Sequence, residues 1–396
     1  MKGTNSLKIA WLFPSLERGS YWHPIWSEFC KTFPQTIVYT GYWTGFSAGF
    51  ENTFNIEVVG ETRYIRDEPA AEGYNCRFIY APPSVVKHLV RFQPDVIFTS
   101  GFSIWTVLAL LLKFWFHWRV VVLYDGNSPG IDHRSSKVRY IARRLMAWFI
   151  DAYAANSQTA KEYLLGFIGA KETQLFSRPY LVPQATALLQ KQLPPDALPA
   201  VTRPTFIFVG DLIARKGVHS LLAACEVLQQ RGVENYTVVI VGDGVQRSEL
   251  EEAARSRCLS DRLVWTGWVE YGSLGSYFRH ADVFVFPTLE DIWGMVVLEA
   301  MVLGKPVLCS QWAGSCEMVT DGKNGYVFDP NHPEELADAM QRLIQTPELI
   351  ATMGQQSEQM VTAYTPQAAS QLFIDIVSSV LNQKSESRSS TARFLP

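Results

Sequence analysis

The chain alternates between short apolar runs rich in β-branched residues and longer stretches with helical periodicity. In the first half, strands are predicted at residues 9–13, 37–39, 56–59, 96–99, 120–123 and 153–155. The alternation restarts further along, with strands predicted at residues 205–209, 236–241, 263–265 and 282–286. Strands that are separated by helices pair in parallel, because parallel neighbours need a crossover connection. The pattern therefore predicts an α/β protein with parallel sheets.

Length and proline content predict two domains. A chain of 396 residues is long enough for two cores. The prolines in SRPYLVPQATALLQKQLPPDALPAVTRP, residues 177–204, indicate an interdomain connection. We predict a first domain at residues 1–180, a linker at 181–204 and a second domain at 205–365. Residues 366–381 place apolar side chains on one helix face, and the Ser-rich residues 383–396 are predicted to be disordered.

The charge differs between the two halves. Residues 1–180 hold 19 Lys plus Arg against 14 Asp plus Glu (+5), and the rest holds 16 against 24 (−8). The acidic second half, and the lack of interleaved basic and aromatic repeats, argue against a nucleic-acid partner. A predicted helix in the first half carries four basic residues beside aromatic ones, an arrangement that can lie on anionic lipid. A solvated helix face is the preferred interpretation. These basic residues are Lys137, Arg139, Arg143 and Arg144.

The segment IWTVLALLLKFWFHW, residues 104–118, resembles a membrane span only superficially. A spanning helix needs about 20 apolar residues, whereas this run is shorter and is broken by Lys113 and His117. It lies between two predicted strands, which favours a buried crossover helix. Its aromatic end would favour a bilayer surface if it were exposed. With no CxxC pair and no signal-peptide pattern, we expect a cytoplasmic protein, with peripheral contact at the inner membrane face left open.

Residues 282–304 combine a predicted strand, a loop and a helix with two carboxylates. The N–H groups of Gly294, Met295 and Val296 would be unpaired at the helix start, where the helix dipole favours a phosphate. Glu299, about one turn further on, can accept two hydrogen bonds from a ribose diol. Asp291 can reach hydroxyls beyond the phosphates. The alternative is a buried helix in which Glu299 has a structural role.

The sequence PTLEDIWGMVVLEAM, residues 287–301, resembles the PSxxEGFGxxxLEAM signature of the family 4 glycosyltransferases. Asp291 and Glu299 stand at its two acidic positions, with seven residues between them. Downstream, GKPVLCSQWAGSCEMVTDGKNGYVFDP, residues 304–330, is similar to the GxPVVAS, GG, E and DGxxG elements of that family. The resemblance covers residues 204–365 well and the first 180 residues loosely.

This resemblance implies the GT-B fold, in which two Rossmann-like, doubly wound domains face a cleft and a C-terminal helix crosses back to the first domain. It also implies a retaining transfer from a nucleotide-diphosphate sugar to a sugar or lipid-linked hydroxyl acceptor, in polysaccharide or glycolipid biosynthesis. No cofactor is expected, and the lack of an Asp-x-Asp sequence argues against a metal ion. Two alternatives remain: a nucleotide-sugar epimerase of the same architecture, and a catalytically degenerate nucleotide-sugar-binding scaffold.

Three further loops of the second domain bear on the donor. After Gly210 comes DLIARKG, where the Lys216 ammonium can neutralise a diphosphate. The family usually has an Arg where this chain has Asp211, and we expect Arg215 to supply the missing cation. Of the remaining two loops, the first carries a turn glycine. The second carries a tryptophan and a backbone that can hold the base, and the alternative for this tryptophan is a place in the core. These residues are Gly242, Trp268 and Val269.

The first domain offers fewer candidates. The resemblance implies that the backbone at Gly19, in PSLERGSYWHPIW, approaches a sugar phosphate. In YDGNSPGIDHR, Asp125 is predicted to meet the donor sugar and the acceptor, with His133 as the reserve candidate. Both stand in turn-forming sequence, so a role in the turn alone is the alternative.

Overall fold

The computed structural model describes residues 4–391 except residues 18, 65–78, 129–131, 133–135 and 184. The chain divides into two compact units. Within the described residues, the first unit comprises 4–64, 79–182 and 364–391, and the second comprises 183–363. The chain therefore passes from one unit to the other close to the predicted end of the first domain.

The first unit is built on a seven-stranded parallel sheet. Its order is β3-β2-β1-β6-β7-β8-β9, and β4 and β5 form a separate antiparallel pair. The strand Ile9–Phe13 is buried at every position. All six predicted strands are present, whereas the three-residue edge strand β9 is not predicted. The strands are β1 (Ile9–Phe13), β2 (Thr36–Thr40), β3 (Asn55–Val58), β4 (Arg63–Tyr64), β5 (Ile79–Tyr80), β6 (Val96–Ser100), β7 (Arg119–Tyr124), β8 (Ala152–Ala155) and β9 (Leu175–Ser177).

Helices connect these strands. The apolar segment forms a crossover helix from β6 to β7, as predicted, and the Ser103 side chain caps it by accepting a hydrogen bond from the Thr106 N–H. None of the described helices is long and apolar enough to cross a lipid bilayer. The helices of this unit are His23–Thr32, Val85–Phe92, Ile104–Phe116, Lys137–Ala147, Gln158–Glu162 and Pro366–Thr391, with a π-helical turn at Tyr163–Ile168.

The C-terminal helix Pro366–Thr391 returns to the first unit, as the resemblance implies. It packs against His23–Thr32, and the Phe373 ring lies 5.0 Å from that of Trp11. The helix continues through residues 383–391, for which disorder was predicted, and that prediction stays untested. Neither Gly nor Pro interrupts it, and extending a formed helix is far easier than nucleating one. Residues 392–396 lie outside the described residues.

The predicted linker is packed rather than extended. Its residues from 183 onward belong to the second unit and include the helix Ala185–Leu188. The Lys191 N–H donates to the Gly272 carbonyl at 3.0 Å, and the Leu193 N–H donates to Ser276 Oγ at 3.0 Å. The prolines therefore shape a segment that lies on the second unit.

The second unit contains a six-stranded parallel sheet of order β12-β11-β10-β13-β14-β15. Its strands are β10 (Thr205–Val209), β11 (Thr237–Val241), β12 (Leu263–Gly267), β13 (Val283–Phe286), β14 (Val307–Ser310) and β15 (Gly325–Phe328). Its longer helices are Val218–Gln230, Arg247–Ser256, Leu274–His280, Met295–Val302, Pro333–Gln345 and Glu348–Val361.

The strand order of this sheet reverses between β10 and β13. The chain proceeds outward from β10 through β11 to β12, then returns to the other side of β10 to form β13. The connections that leave β10 and β13 at their carboxyl ends therefore run in opposite directions. In open parallel sheets a ligand binds in the crevice that such a reversal creates.

Candidate functional site

The predicted donor residues of the second unit gather at the carboxyl edge of its sheet. Gly210 directly follows β10, Gly242 directly follows β11, and Trp268 directly follows β12. Lys216 lies in the connection after β10, and Asp291 lies in the connection after β13. The last two thus stand on opposite sides of the strand-order reversal.

The two turn glycines are held backbone to backbone. Gly242 has a φ of +142°, and a Cβ there would lie 1.9 Å from the Gly210 carbonyl oxygen. Its N–H donates to the Gly267 carbonyl at 2.9 Å. Close packing of the turns therefore explains Gly242 structurally, and the contact of either glycine with a donor stays a prediction.

Two cations and one carboxylate form a cluster at the reversal. Lys216 Nζ donates to Asp291 Oδ2 at 2.7 Å, and Arg215 Nη1 donates to the same oxygen at 3.0 Å. The three side chains are only 10–13% exposed. Lys216 Nζ also lies 5.0 Å from the centroid of the Phe286 ring. Taken together, the charges of these three side chains sum to one positive charge.

Asp291 is ionised within this cluster. Burial alone would raise the pKa of its carboxyl, but Lys216 and Arg215 hold that pKa below its usual range. Its second oxygen, Oδ1, accepts a hydrogen bond from the Trp293 N–H at 3.3 Å. Both carboxylate oxygens are therefore engaged by protein donors. Contact between Asp291 and sugar hydroxyls, expected from the resemblance, stays a prediction.

The helix Met295–Val302 begins beside this cluster, at Gly294. Gly294 has a φ of +90°, and a Cβ there would lie 2.6 Å from the Phe286 ring, so no other residue fits without a shift. No backbone acceptor in the described ranges bonds the N–H groups of Gly294, Met295 or Val296. This helix start has the arrangement that binds anions.

Glu299 lies further along that helix and is 7% exposed. Its Oε1 accepts a hydrogen bond from the Tyr271 hydroxyl at 2.9 Å. Burial raises the pKa of Glu299 to about 7, although the Tyr271 hydrogen bond acts in the opposite direction. Glu299 can therefore be ionised or protonated at neutral pH.

Tyr271 and Phe286 are site residues that the sequence analysis did not identify. Tyr271 starts a short turn after β12, and Phe286 ends β13 beneath Lys216. Their positions were the available signal, since residues at and after the carboxyl ends of parallel strands line the ligand edge.

Trp268 is not a core residue. Its side chain is 75% exposed, which excludes the alternative of a buried tryptophan, and Val269 beside it is half-buried. An exposed indole at the ligand edge is free to stack on a planar group. Asp211, which replaces the usual Arg of the family, is exposed, while Arg215 pairs with Asp291.

The candidates of the first unit have structural partners there. Asp125 directly follows β7, and its Oδ1 accepts a hydrogen bond from the Tyr180 hydroxyl at 2.7 Å. Burial raises the pKa of Asp125, while the Tyr180 hydrogen bond opposes that shift. At Gly19 a Cβ would lie 2.6 Å from Leu16 Cδ2, the end of a flexible side chain, and contact of Gly19 with a donor stays a prediction. His133 lies outside the described residues.

Two family models match the chain. The model described as "Glycosyltransferase Family 4" matches residues 44–208, and the one described as "Glycosyl transferases group 1" matches residues 190–360. The second match contains the cation cluster and Glu299.

Several characterised proteins are similar in sequence over part of their length. Alpha-D-kanosaminyltransferase from Streptomyces kanamyceticus is 32% identical over 161 residues, which is 41% of this chain and 42% of that protein. A GDP-mannose-dependent alpha-(1-6)-phosphatidylinositol monomannoside mannosyltransferase from Mycobacterium tuberculosis is 31% identical over 169 residues, or 41% and 43% of the two chains. The chain thus matches less than half the length of these relatives.

Solved structures match over nearly the whole chain. Anabaena HepE in complex with UDP superposes with a TM-score of 0.73 at 19% identity, covering 94% of this chain and all of that one. WaaG, a glycosyltransferase of lipopolysaccharide biosynthesis, gives a TM-score of 0.65 at 15% identity, covering 93% and 99% of the two chains. Such distant matches establish the fold, which is GT-B. With both family models matched in sequence, the chain belongs to the group 1 glycosyltransferases of family 4.

Proposed function

We propose that the protein is a retaining glycosyltransferase that moves a sugar from a nucleotide-diphosphate sugar to a hydroxyl acceptor. The observation that carries this proposal is the buried Lys216–Arg215–Asp291 cluster, which stands at the strand-order reversal beside the start of the helix that holds Glu299. Excess positive charge and free N–H groups meet there, as the binding of a diphosphate requires.

In this proposal the donor lies along the carboxyl edge of the second sheet. The diphosphate faces the N–H groups of Gly294, Met295 and Val296 and the Lys216 ammonium. The ribose diol donates to the Glu299 carboxylate, and the base stacks on exposed Trp268, with the Val269 backbone at its edge. The excess positive charge stabilises the diphosphate as it leaves, which is the largest contribution the protein makes to the rate.

Asp291 acts in this scheme as a positioning residue. Its carboxylate holds Lys216 and Arg215 at 2.7 and 3.0 Å, so the long flexible side chains are ordered before the donor arrives. Preorganised charges need no rearrangement during the reaction, which is the source of their advantage over water. Arg215 in this position supplies the cation that the family usually draws from the position of Asp211.

We further propose that the transfer retains the anomeric configuration and needs no metal ion. In the front-face mechanism of the family, the departing diphosphate oxygen takes the proton of the acceptor, so no protein nucleophile is required. Positive charge from Lys216, Arg215 and the helix start takes the place that a bridging cation occupies in metal-dependent transferases.

The names of the relatives indicate which nucleotide sugars to consider as the donor. HepE binds UDP and UDP-glucose, and the mycobacterial relative is GDP-mannose-dependent. We propose a UDP-, GDP- or ADP-sugar as donor, and a sugar or lipid-linked acceptor in polysaccharide or glycolipid biosynthesis. Asp125 is the candidate of the first unit for contact with the donor sugar and the acceptor. Its bond to Tyr180 supports an alternative structural role.

A nucleotide-release assay tests this function directly. Wild type and Lys216→Ala are incubated with each nucleotide sugar and pooled sugar and lipid acceptors, with and without EDTA. We expect one nucleotide to be released only when an acceptor is present, and EDTA should not reduce this release. NMR should show an α-linked product from an α-linked donor.

The same assay separates the two alternatives. Interconversion of the nucleotide sugar without acceptor, followed by NMR, would instead indicate an epimerase. Binding of a nucleotide sugar without turnover in any acceptor pool would favour the degenerate scaffold.

A further inference from the structure

The crossover helix Ile104–Phe116 presents an apolar face to solvent. Its packed face is made by Trp105, Ala109 and Leu110, which are at most 5% exposed. The opposite face is also apolar, although surface helices normally carry polar residues there. Its side chains are Ile104, Leu111, Phe114 and Trp115, which are 49%, 55%, 59% and 72% exposed.

The helix Lys137–Ala147 repeats this arrangement. Its packed side contains Ala147, which is buried, and Arg143, which is half-buried. Arg143 Nη1 donates to the Asp132 carbonyl at 2.9 Å. Residues 138, 141, 145 and 148 follow the three-and-four spacing of a single helix face, which points away from the packed side. They are Val138, Ile141, Leu145 and Trp148, and each is between 48% and 79% exposed.

The two faces meet to form one surface. The rings of Phe114 and Phe149 lie 5.3 Å apart in an edge-to-face contact. Lys113 Nζ donates to the Phe149 carbonyl at 2.7 Å, which ties the first helix to the end of the second. We call the exposed apolar residues of both helices, together with Phe149, the aromatic surface. Contiguous apolar patches of this kind mark interaction sites.

Positive charge borders the aromatic surface. Residues 136–150 contain four basic and no acidic side chains. Lys137 and Arg144 flank the apolar stripe on one side, Arg139 flanks it on the other, and all three are exposed. The acids on either side of this segment, Asp132 and Asp151, are both buried, and Asp151 is paired with Lys113 and Arg119.

We propose that the aromatic surface docks the protein on an anionic phospholipid bilayer. Exposed Trp and Phe favour the headgroup level, and flanking cations are attracted to anionic lipid. The apolar residues lie on one side of each helix, so the helices would rest in the plane of the interface. A second copy of the chain is a poorer occupant, because a self-complementary contact would bring the two basic borders together. The proposal does not depend on the transfer reaction.

Co-sedimentation with vesicles tests the proposal on the full chain. We compare phosphatidylcholine vesicles with vesicles that also contain phosphatidylglycerol, at low and high salt. We expect preference for the anionic vesicles. Trp115→Ala/Trp148→Ala should lower partitioning on the order of tenfold or more, because both indoles would leave the interface. Lys137→Ala and Arg139→Ala should each cost about fivefold on anionic vesicles, and this difference should vanish at high salt.

Matched controls separate this surface from general stickiness. Tyr42→Ala removes an exposed aromatic of the first unit outside the aromatic surface, and Lys87→Glu reverses an exposed charge on another helix. Neither should alter partitioning, and all variants should melt like wild type, since the changed side chains are exposed. Unchanged partitioning of the double tryptophan variant would overturn the proposal. The proposal would also be overturned if wild type did not bind vesicles and light scattering instead showed a dimer that the double tryptophan variant does not form.

Discussion

The two motif carboxylates stand in opposite electrostatic environments although they are close in sequence and both are buried. Asp291 is held by Lys216 and Arg215, and its pKa lies below the usual range. Among the described residues, Glu299 has one polar partner, the hydroxyl of Tyr271, and burial raises its pKa to about 7. Burial disfavours both anions, so the difference comes from the partners.

This difference assigns different tasks to the two residues. The Asp291 carboxylate is fully ionised, and its oxygens are taken by protein donors. No cation among the described residues pairs with the Glu299 carboxylate, and a ribose diol would supply the hydrogen bonds that stabilise its charged form. The loop end of the motif is therefore suited to ordering cations, and the helix end is suited to recognising a neutral diol.

Removal of Lys216 should have the largest effect. We expect Lys216→Ala to lower kcat roughly 10²- to 10³-fold, the usual range for one preorganised donor at a developing anion. Steady-state kinetics with the donor that the nucleotide-release assay selects is the measurement. The double variant Lys216→Ala/Asp291→Asn is the control, because it removes the partly uncompensated carboxylate. Recovery of activity in the double variant would contradict the role of Lys216 at the diphosphate.

Glu299→Gln should weaken nucleotide binding roughly 10- to 100-fold, because hydrogen bonds to a charged acceptor contribute about 1.5–3 kcal/mol. Calorimetric titration at pH 8 measures this. Since Gln keeps the shape of the side chain, a melting temperature equal to or above that of wild type would show that the fold is intact. Equal affinity in wild type and variant would place the ribose elsewhere.

Asp291→Asn should chiefly affect stability and the order of the cations. Two buried cations would lose their carboxylate partner, so we expect a loss of about 1–3 kcal/mol in the free energy of unfolding. Chemical denaturation measures the loss. We expect kcat to fall while nucleotide affinity stays level or rises, because the cluster gains net positive charge. A large fall in nucleotide affinity alone would point to direct donor contact by Asp291.

Glu299 should make binding and stability depend on pH in opposite directions. Affinity for the nucleoside, which has no phosphate to titrate, should rise as the pH rises through about 7, because the ionised carboxylate accepts both ribose hydroxyls. The pKa of Glu299 is raised on folding, so its stabilising contribution is complete below about 4.5 and is lost as the pH rises through about 7. Affinity and melting temperature measured from pH 5 to 8 test both. A flat affinity profile in wild type would contradict this assignment.

Tyr271→Phe should have the smallest effect, and it isolates the hydrogen bond to Glu299. The Tyr271 hydroxyl lowers the pKa of Glu299 against burial, so its loss should move the midpoint of the affinity profile to higher pH. Affinity well above that midpoint should change little. The Glu299→Gln/Tyr271→Phe double variant should give a flat profile, and a residual shift there would implicate another group.

Much of the fold could be predicted from local sequence. The β-prone runs fix the parallel strands, and Gly294 with the following apolar run fixes the start of the motif helix. The pairing of Asp291 with Lys216 could not be predicted, since their side chains meet only when β10 and β13 become neighbours. Tyr271 was missed for the same reason, because its partner Glu299 lies on a helix beyond another strand.

Burial was predicted less well than secondary structure. The segment 104–118 was expected to be a buried helix, yet Trp115 and its neighbours are exposed. An apolar run shows that a helix can be covered on every side, but the elements available to cover it are set by the tertiary fold. Sequence alone gives no means of counting those covering elements.

The most direct test of the central assignment is calorimetric titration of wild type, Glu299→Gln and Lys216→Ala with UDP, GDP and ADP and with the corresponding nucleosides. We predict that one nucleoside diphosphate binds wild type, and that Glu299→Gln weakens both this diphosphate and its nucleoside. Lys216→Ala should weaken only the diphosphate. Binding that neither variant alters, or no binding of any nucleotide to wild type, would contradict a donor site at the carboxyl edge of the second sheet.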